Sequence, residues 1–269
     1  TSLVTYEAQM KDEALQGGAS VGEGEAIPFT QFKVVESKRE DIVVEKYAKS
    51  LSLESVSKWG ATVAIEKTDD AFMVELQNKV LKDFYTFLKT GTLKGTQKKW
   101  QKALAIAKGA VLNKFAGMNR NVTEVVGFAN VMDFYDWLGD KEITVQTMFG
   151  LQYIKDFFGF STLFLLPDAY IPAKTVIATP VENIDLYYID PGDSDFKKLG
   201  LDYTTSGETN LIGFHAGGNY TNATGETYAI MGMKLWAEYL DGVCVVTVGT
   251  TDTIPEVSST VSEASSNGK

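Results

Sequence analysis

His215 is the only histidine in this chain of 269 residues, Cys244 its only cysteine, and Arg39 and Arg120 its only arginines. Catalysis needs groups that titrate or attack near neutral pH, and metal sites need clustered N, S or O donors. His215 stands in Gly213-Phe-His-Ala-Gly217 with no cysteine or identifiable carboxylate partner nearby. It therefore reads as a surface or hydrogen-bonded structural histidine and not as a general base. Cys244 alternates with valines in Val243-Cys-Val-Val246, the pattern of a small core residue. Asp190, Asp193 and Asp195 approach a calcium loop but lack its glycine spacing and distal glutamate, so they read as a solvated turn. The N-terminal glycines lack the Gly-Lys-Ser/Thr ending of a phosphate loop, and Gly159-Phe-Ser-Thr-Leu163 is not a nucleophile elbow. The sequence predicts no catalytic, cofactor-binding or metal-ligating residue, no cofactor, and a protein that is not an enzyme.

Composition points to ordered architecture. With 44% hydrophobic and 12% aromatic residues, the chain can bury a large core as one large domain or two ordinary ones. A single cysteine forms no internal disulfide, so packing alone must hold the fold, as in a reducing cytosol. The longest apolar runs, Ser161 to Pro167 and Val243 to Val248, fall far short of the ~20 residues that cross a bilayer. Thr1 to Gly24 has no basic-then-apolar pattern, and no membrane partner is expected. The glycosylation patterns at Asn121, Asn219 and Asn222 carry little weight without an export signal.

The formal net charge of −10 hides an asymmetry. Residues 77–120 hold ten basic residues against one acid, Asp83, a net +9 that leaves −19 for the rest of the chain. Nine of the ten are lysines, whereas base-specific recognition recruits arginine forks, and no aromatic-interleaved basic patch is present. The stretch reads as a solvated helix face or an electrostatic partner for acidic neighbours, with nucleic-acid contact as the lesser reading.

These residues must be positioned by the following elements. Thr1 to Ala26 is rich in Gly, Ser and acids without periodicity and reads as an extended arm that needs a neighbour to be ordered. Ile27 to Val35 and Ile42 to Tyr47 read as strands of a hairpin whose exposed tip is Glu36 to Asp41. An isolated hairpin is marginal in water, so it must lean on the body or on another copy. Thr68 to Gly91 reads as a helix capped by Thr68, with Met73, Leu76, Val80, Phe84 and Phe87 as its apolar stripe. A second helix, Thr96 to Gly117, presents Trp100, Ala103, Leu104, Ala107, Val111 and Phe115 on one side.

Beyond Arg120 the pattern is mixed. Strands are expected at Val122 to Phe128, Thr162 to Leu166, Thr175 to Thr179 and Ile184 to Ile189. Asn130 caps a short helix ending near Gly139, and Phe149 to Phe158 reads as another helix. After a turn-rich stretch from Asp190 to Gly225, Thr227 to Leu240 reads as one long strand, joined by the hairpin cue Asp241-Gly242 to a final strand, Val243 to Val248. Ser258 to Lys269 is a polar, exposed end.

The order of these parts resembles a tailed-bacteriophage major capsid protein of the HK97-like fold. Three segments carry the resemblance: Glu45-Lys-Tyr-Ala-Lys-Ser-Leu-Ser-Leu53, Ala178-Thr-Pro-Val-Glu-Asn-Ile-Asp-Leu-Tyr-Tyr188 and Met231-Gly-Met-Lys-Leu-Trp-Ala-Glu-Tyr-Leu-Asp-Gly-Val243. They are similar to coat proteins of siphophages of Gram-positive bacteria, and the match runs from about Ile27 to Val248. The resemblance implies an α+β fold with an N-terminal arm (1–26), an E-loop hairpin (27–60), a peripheral domain with a spine helix (61–93), an axial domain (94–225), return strands (226–250) and a tail (251–269). It also implies hexamers and pentamers in an icosahedral shell around double-stranded DNA, assembled in the host cytoplasm and carried in the virion. Portal and scaffold proteins would be partners, with non-specific contact to packaged DNA. No long, charged, helical scaffolding segment stands at the N-terminus, so the resemblance implies a separate scaffold or a removed leader. No residue pattern here identifies a covalent link between subunits.

Two other classes fit the composition. An encapsulin-like compartment would use the same fold around a protein cargo. An α/β small-molecule-binding protein would be a monomer or small oligomer with a ligand pocket.

Overall fold

The computed structural model describes residues 2–11, 21–139, 143–148, 151–205 and 210–257. Its elements begin with β1 (Ser2–Met10), β2 (Phe32–Asp41), β3 (Glu45–Ser52), α1 (Leu53–Trp59) and α2 (Ala61–Leu88). Next come β4 (Leu93–Gln97), α3 (Trp100–Gly117), β5 (Val125–Asn130), α4 (Val131–Leu138), β6 (Gln146–Met148), β7 (Leu151–Phe157), β8 (Phe160–Leu166) and β9 (Thr175–Pro180). The last third holds β10 (Ile184–Tyr188), α5 (Ser194–Lys198), β11 (Thr204–Thr205), β12 (Ile212–Asn219), β13 (Thr224–Met231), β14 (Met233–Ala237), β15 (Cys244–Val248) and β16 (Thr253–Val257). The class is α+β. The chain divides into two compact units: the segment through Leu53 with Tyr188–Lys234, and Glu54–Tyr187 with the segment from Leu235 onward.

The second unit is built on an eight-stranded sheet in the order β16-β4-β15-β9-β5-β8-β7-β6. Pairs β15–β4 and β5–β8 are parallel, and the remaining pairs are antiparallel. Successive side chains of a strand point to opposite faces. Thus Val125 and Ala129 of β5 and Val176 and Ala178 of β9 enter one core, with α3 and α4, while Phe128 and Ile177 enter another, with Tyr85 and Leu88 of α2. Both faces are covered, so β9 is buried along its whole length, as strands in such a sandwich must be. All six residues expected on the inner side of α3 are buried. The helix begins at Trp100, not Thr96, because 93–97 is spent on β4.

Several expected elements differ. The first long helix starts at Ala61, behind Gly60 at φ 86, and Thr68 lies inside it. Instead of capping, the Thr68 hydroxyl donates back to the carbonyls of Ala64 at 2.9 Å and Ile65 at 3.1 Å. Of the expected stripe only Leu76 is fully buried, with Tyr85 and Leu88 making the contact at the helix end. The segment 151–157, expected as a helix, is strand β7, and 149–150 lie outside the described residues. Phe158 (φ 51) and Gly159 (φ 77) form a two-residue left-handed turn that returns the chain antiparallel into β8, and this pairing overrides the helix-like spacing. The Asp241-Gly242 cue makes no hairpin. Residues 240–242 form a 3-10 turn, and β15 pairs parallel with β4 and antiparallel with β9. Asn130 caps α4 as expected, its side-chain oxygen accepting the Met132 N–H at 2.8 Å.

The first unit contains a four-stranded antiparallel sheet, β11-β12-β13-β3, and a separate two-stranded ribbon, β1–β2. The expected pairing of Ile27–Val35 with Ile42–Tyr47 does not occur. β2 runs on through the charged stretch to Asp41 and pairs with β1, from Ser2 opposite Asp41 to Met10 opposite Phe32. The leading segment is therefore not a lone arm, because its first strand finds a partner about thirty residues on in the same chain. β3 pairs instead with β13. The long closing strand is two strands broken at Gly232, where a side chain would press on Ile189 at 3.0 Å. The polar end 258–269 lies outside the described residues.

Candidate assembly surfaces

The residues that offered chemistry are each occupied by structure. His215 is exposed on β12 with Nδ1 3.0 Å from the Asp202 carbonyl oxygen. Cys244 is fully buried in β15, and burial pushes its thiol up to about 12. Asp190 accepts the Gly192 N–H at 2.8 Å, Asp193 accepts the Asp195 N–H at 3.1 Å at the start of α5, and Asp195 pairs with Lys198 at 2.8 Å. All three acids serve local turns. Among the described residues no group of three His, Cys, Asp or Glu side chains could share a metal ion. No helix among them is long and apolar enough to cross a membrane.

One perturbed acid escaped the sequence reading. Asp133 on α4 is raised above the usual carboxylate range, first by burial and then by the nearby Asp136 and Asp168. It accepts the Lys174 backbone N–H at 2.5 Å, at a residue held at φ 64, so its visible work is to hold that loop. A lone aspartate in a helix first turn gives no sequence signal of such burial.

The basic stretch meets acids of its own chain. Lys102 pairs with Asp252 at 3.0 Å, Lys114 with Asp241 at 2.6 Å and Arg120 with Glu238 at 3.2 Å. Arg120 also stacks its guanidinium on the Tyr239 ring at 4.6 Å. The +9 of residues 77–120 is thus partly answered by carboxylates from 238–252, more than a hundred residues away. Charges segregated in sequence are interleaved in space, which favours the structural reading over a polyanion track.

The apolar side chains left in water mark the surfaces. On the ribbon Tyr6, Phe32 and Val34 are exposed, and just before it so are Ile27 and Phe29. Phe32 and Val34 share a face by the period of two. Among the described residues the ribbon pairs with no third strand, and a two-stranded ribbon is marginal alone in water. Lys234 of β14 pairs with Glu40 at the ribbon's base. Along the first turns of α2, Val63, Ile65 and Val74 are also exposed, after Trp59. Patches of this kind mark contact with other molecules.

No protein-family model matches the sequence, and no curated protein matches it. Solved structures do match. A structure of Gordonia phage Cozz superposes with a TM-score of 0.59 at 9% identity, over 91% of this chain and 81% of that one. The capsid structure of cyanophage P-SCSP1u gives 0.54 at 7% identity, over 92% and 84%. The holo-SrpI encapsulin complex of Synechococcus elongatus PCC 7942 gives 0.50 at 9% identity, over 93% and 84%. The fold is the HK97-like capsid fold.

Proposed function

We propose that the chain is a non-enzymatic major capsid subunit that self-assembles through hexamers and pentamers into the icosahedral shell around a phage's double-stranded DNA. The observation that carries this reading is the two-stranded β1–β2 ribbon, which leaves Tyr6, Phe32 and Val34 exposed and pairs with no further strand among the described residues, in a chain with an HK97-like fold. A shell subunit gains from many moderate contacts that become strong only collectively. On this reading the ribbon reaches over adjacent subunits as the E-loop, α2 is the spine helix, and the axial domain near the capsomer centre, expected over 94–225, is narrowed to 94–187 because 188–225 belong to the first compact unit. The strands after Gly225 return the chain to the peripheral domain. Portal and scaffold proteins are its partners, packaged DNA is touched without sequence preference, assembly takes place in the host cytoplasm, and the product is the virion.

The test is expression of the full chain followed by sizing and electron microscopy. Megadalton particles or capsomers are expected, and a stable monomer under assembly conditions sinks the proposal. Deleting residues 1–41 should leave a folded chain that no longer assembles. A protein compartment built on the same fold is the second reading, favoured by the superposition on an encapsulin. Particles purified from cells and filled with a single protein, with no nuclease-protected DNA, would favour it.

A further inference from the structure

Helix α2 carries a second seam besides the one expected from its sequence. Alternating steps of four and three from Val63 give Val63, Lys67, Asp70, Val74, Gln77, Leu81, Phe84 and Leu88, the spacing of a heptad repeat. Leu81, Phe84 and Leu88 end in the chain's own core. The first half of the seam stays in water: Val63 is 54% and Val74 51% exposed, and Lys67, Asp70 and Gln77 are exposed with them. The buried Leu76 lies roughly opposite on the helix, so the packing that covers it leaves this side open. Ala64, on one flank, is already buried, so the open strip is narrow.

The two charged members of the strip select its partner. Among the described residues neither Lys67 nor Asp70 makes an ion pair, although they stand one turn apart on the same helix. A polar residue at a seam position costs stability and fixes register and orientation. Two α2 helices laid antiparallel about a point between Thr68 and Asp69 place Val63 opposite Val74 of the other copy and Lys67 opposite its Asp70. The two-fold repeats both layers, giving opposite charges in the middle and an apolar layer at each end. The other acids stay clear of these pairs. Glu66 flanks the seam opposite Met73 of the second copy, and Asp69 and Glu75 lie more than about 100° round the helix. A parallel pair would set Lys67 on Lys67 and Asp70 on Asp70, so the charges exclude it.

We propose that two copies of the chain meet across a two-fold axis through the first half of α2, antiparallel, with Lys67 of each copy paired to Asp70 of the other and Val63 packed on Val74. The same patch serves both copies, so the contact is isologous and closes on itself. Contacts that build a ring are head-to-tail, whereas this one is of the other kind and joins one ring to the next. The strip spans about 17 Å, short for a stable dimer interface, so the pair gains strength by repetition over a shell. It rests on the shell reading and names a contact between capsomers.

Cross-linking with charge exchange in assembled particles tests it. Val63→Cys and Val74→Cys are made as separate variants, mixed, co-assembled and treated with a short bis-maleimide. Cys244 is buried and does not compete. A dimer band is expected from the mixture and from neither variant alone, because like positions lie about 17 Å apart across the two-fold. Adding Lys67→Asp to both chains, or Asp70→Lys to both, should abolish the band. Lys67→Asp in one chain with Asp70→Lys in the other should restore it, since opposite charges then face each other in both central layers. Particles that form without any band overturn the contact and leave the shell reading standing. So does a band from either cysteine variant alone, or a mixed band indifferent to the charge reversals. Absence of particles from the parent chain sinks the shell reading, and the contact falls with it.

Discussion

Asp252 pairs with Lys102 at 3.0 Å through one carboxylate oxygen while its other oxygen accepts the Lys98 backbone N–H at 2.9 Å. The two residues join the turn before β16 to the first turn of α3, whose own N-cap, Lys99, makes no side-chain cap. A carboxylate there sits at the favourable end of the helix dipole. Beside it, the Thr253 hydroxyl accepts the Thr96 N–H at 2.8 Å, and the Gln97 amide donates to the Thr253 carbonyl at 2.7 Å. Polar contacts thus clip β16 onto β4.

This clip should have a signature in acid. The hydrogen bond from Lys98, and then that from Lys102, hold Asp252 below its ordinary value of 3.8. A carboxyl depressed in the folded chain adds stability that is present above its unfolded value and is lost as pH falls through the folded one. Asp252→Asn should therefore lower Tm modestly at pH 7, and the gap to the parent should close below about pH 3.8. A gap that stays constant through the acid range would refute the assignment.

Asn130 should be intolerant in a diagnostic order. It is fully buried, caps α4 with its oxygen, and donates its amide to Asp168 at 2.6 Å and to the Ile171 carbonyl at 2.7 Å. Asn130→Ala loses the cap and strands the Ile171 carbonyl, at a cost of about 1–3 kcal/mol. Asn130→Asp keeps a capping oxygen but turns both donors into an acceptor facing Asp168 and a carbonyl. Urea midpoints should rank parent, Ala, Asp in falling stability at neutral pH. An Asp variant firmer than Ala would contradict this network.

How far the fold could be read from the chain varied with the range of the interactions. The α3 face was legible to the residue because its period of 3.6 and its burial against one sheet face agree along its whole length. The α2 stripe was not, because the helix packs in the core mainly through its end, and Met73, Val80, Phe84 and Phe87 of the expected face stay only partly buried. The ribbon was misread because its pairing joins residues far apart in sequence, through a register shift at Thr5/Tyr6 that no local pattern announces. The Phe158-Gly159 turn lacked the usual Asn-Gly signal and hid a hairpin, while Asp241-Gly242 carried the signal and made none.

Two glycines should respond in opposite directions. Gly242 lies against Phe115, and an added Cβ would meet that ring at 2.4 Å, which explains the glycine better than a hairpin does. Gly242→Ala should cost about 1–3 kcal/mol by overpacking. Gly109 sits inside α3 with open space around its Cβ position. There alanine should stabilise by about 0.4–1 kcal/mol, through helix propensity and a less flexible unfolded chain. Thermal melts that move both variants the same way would mean that α3 and the 240–242 turn are packed differently.

The buried thiol provides a probe of core integrity that needs no mutation. With the Cys244 pKa raised from 9.0 to about 12, the thiolate fraction near pH 8 falls about a thousandfold, and the side chain is in any case closed to solvent. A thiol reagent should therefore label the native chain only as fast as the sheet opens around β15, with prompt, stoichiometric labelling in denaturant. Its rate should climb in Gly242→Ala, whose substitution lies two residues from Cys244, before any change in overall helix content. Rapid labelling of the native parent chain would mean that β15 is not the covered central strand described here.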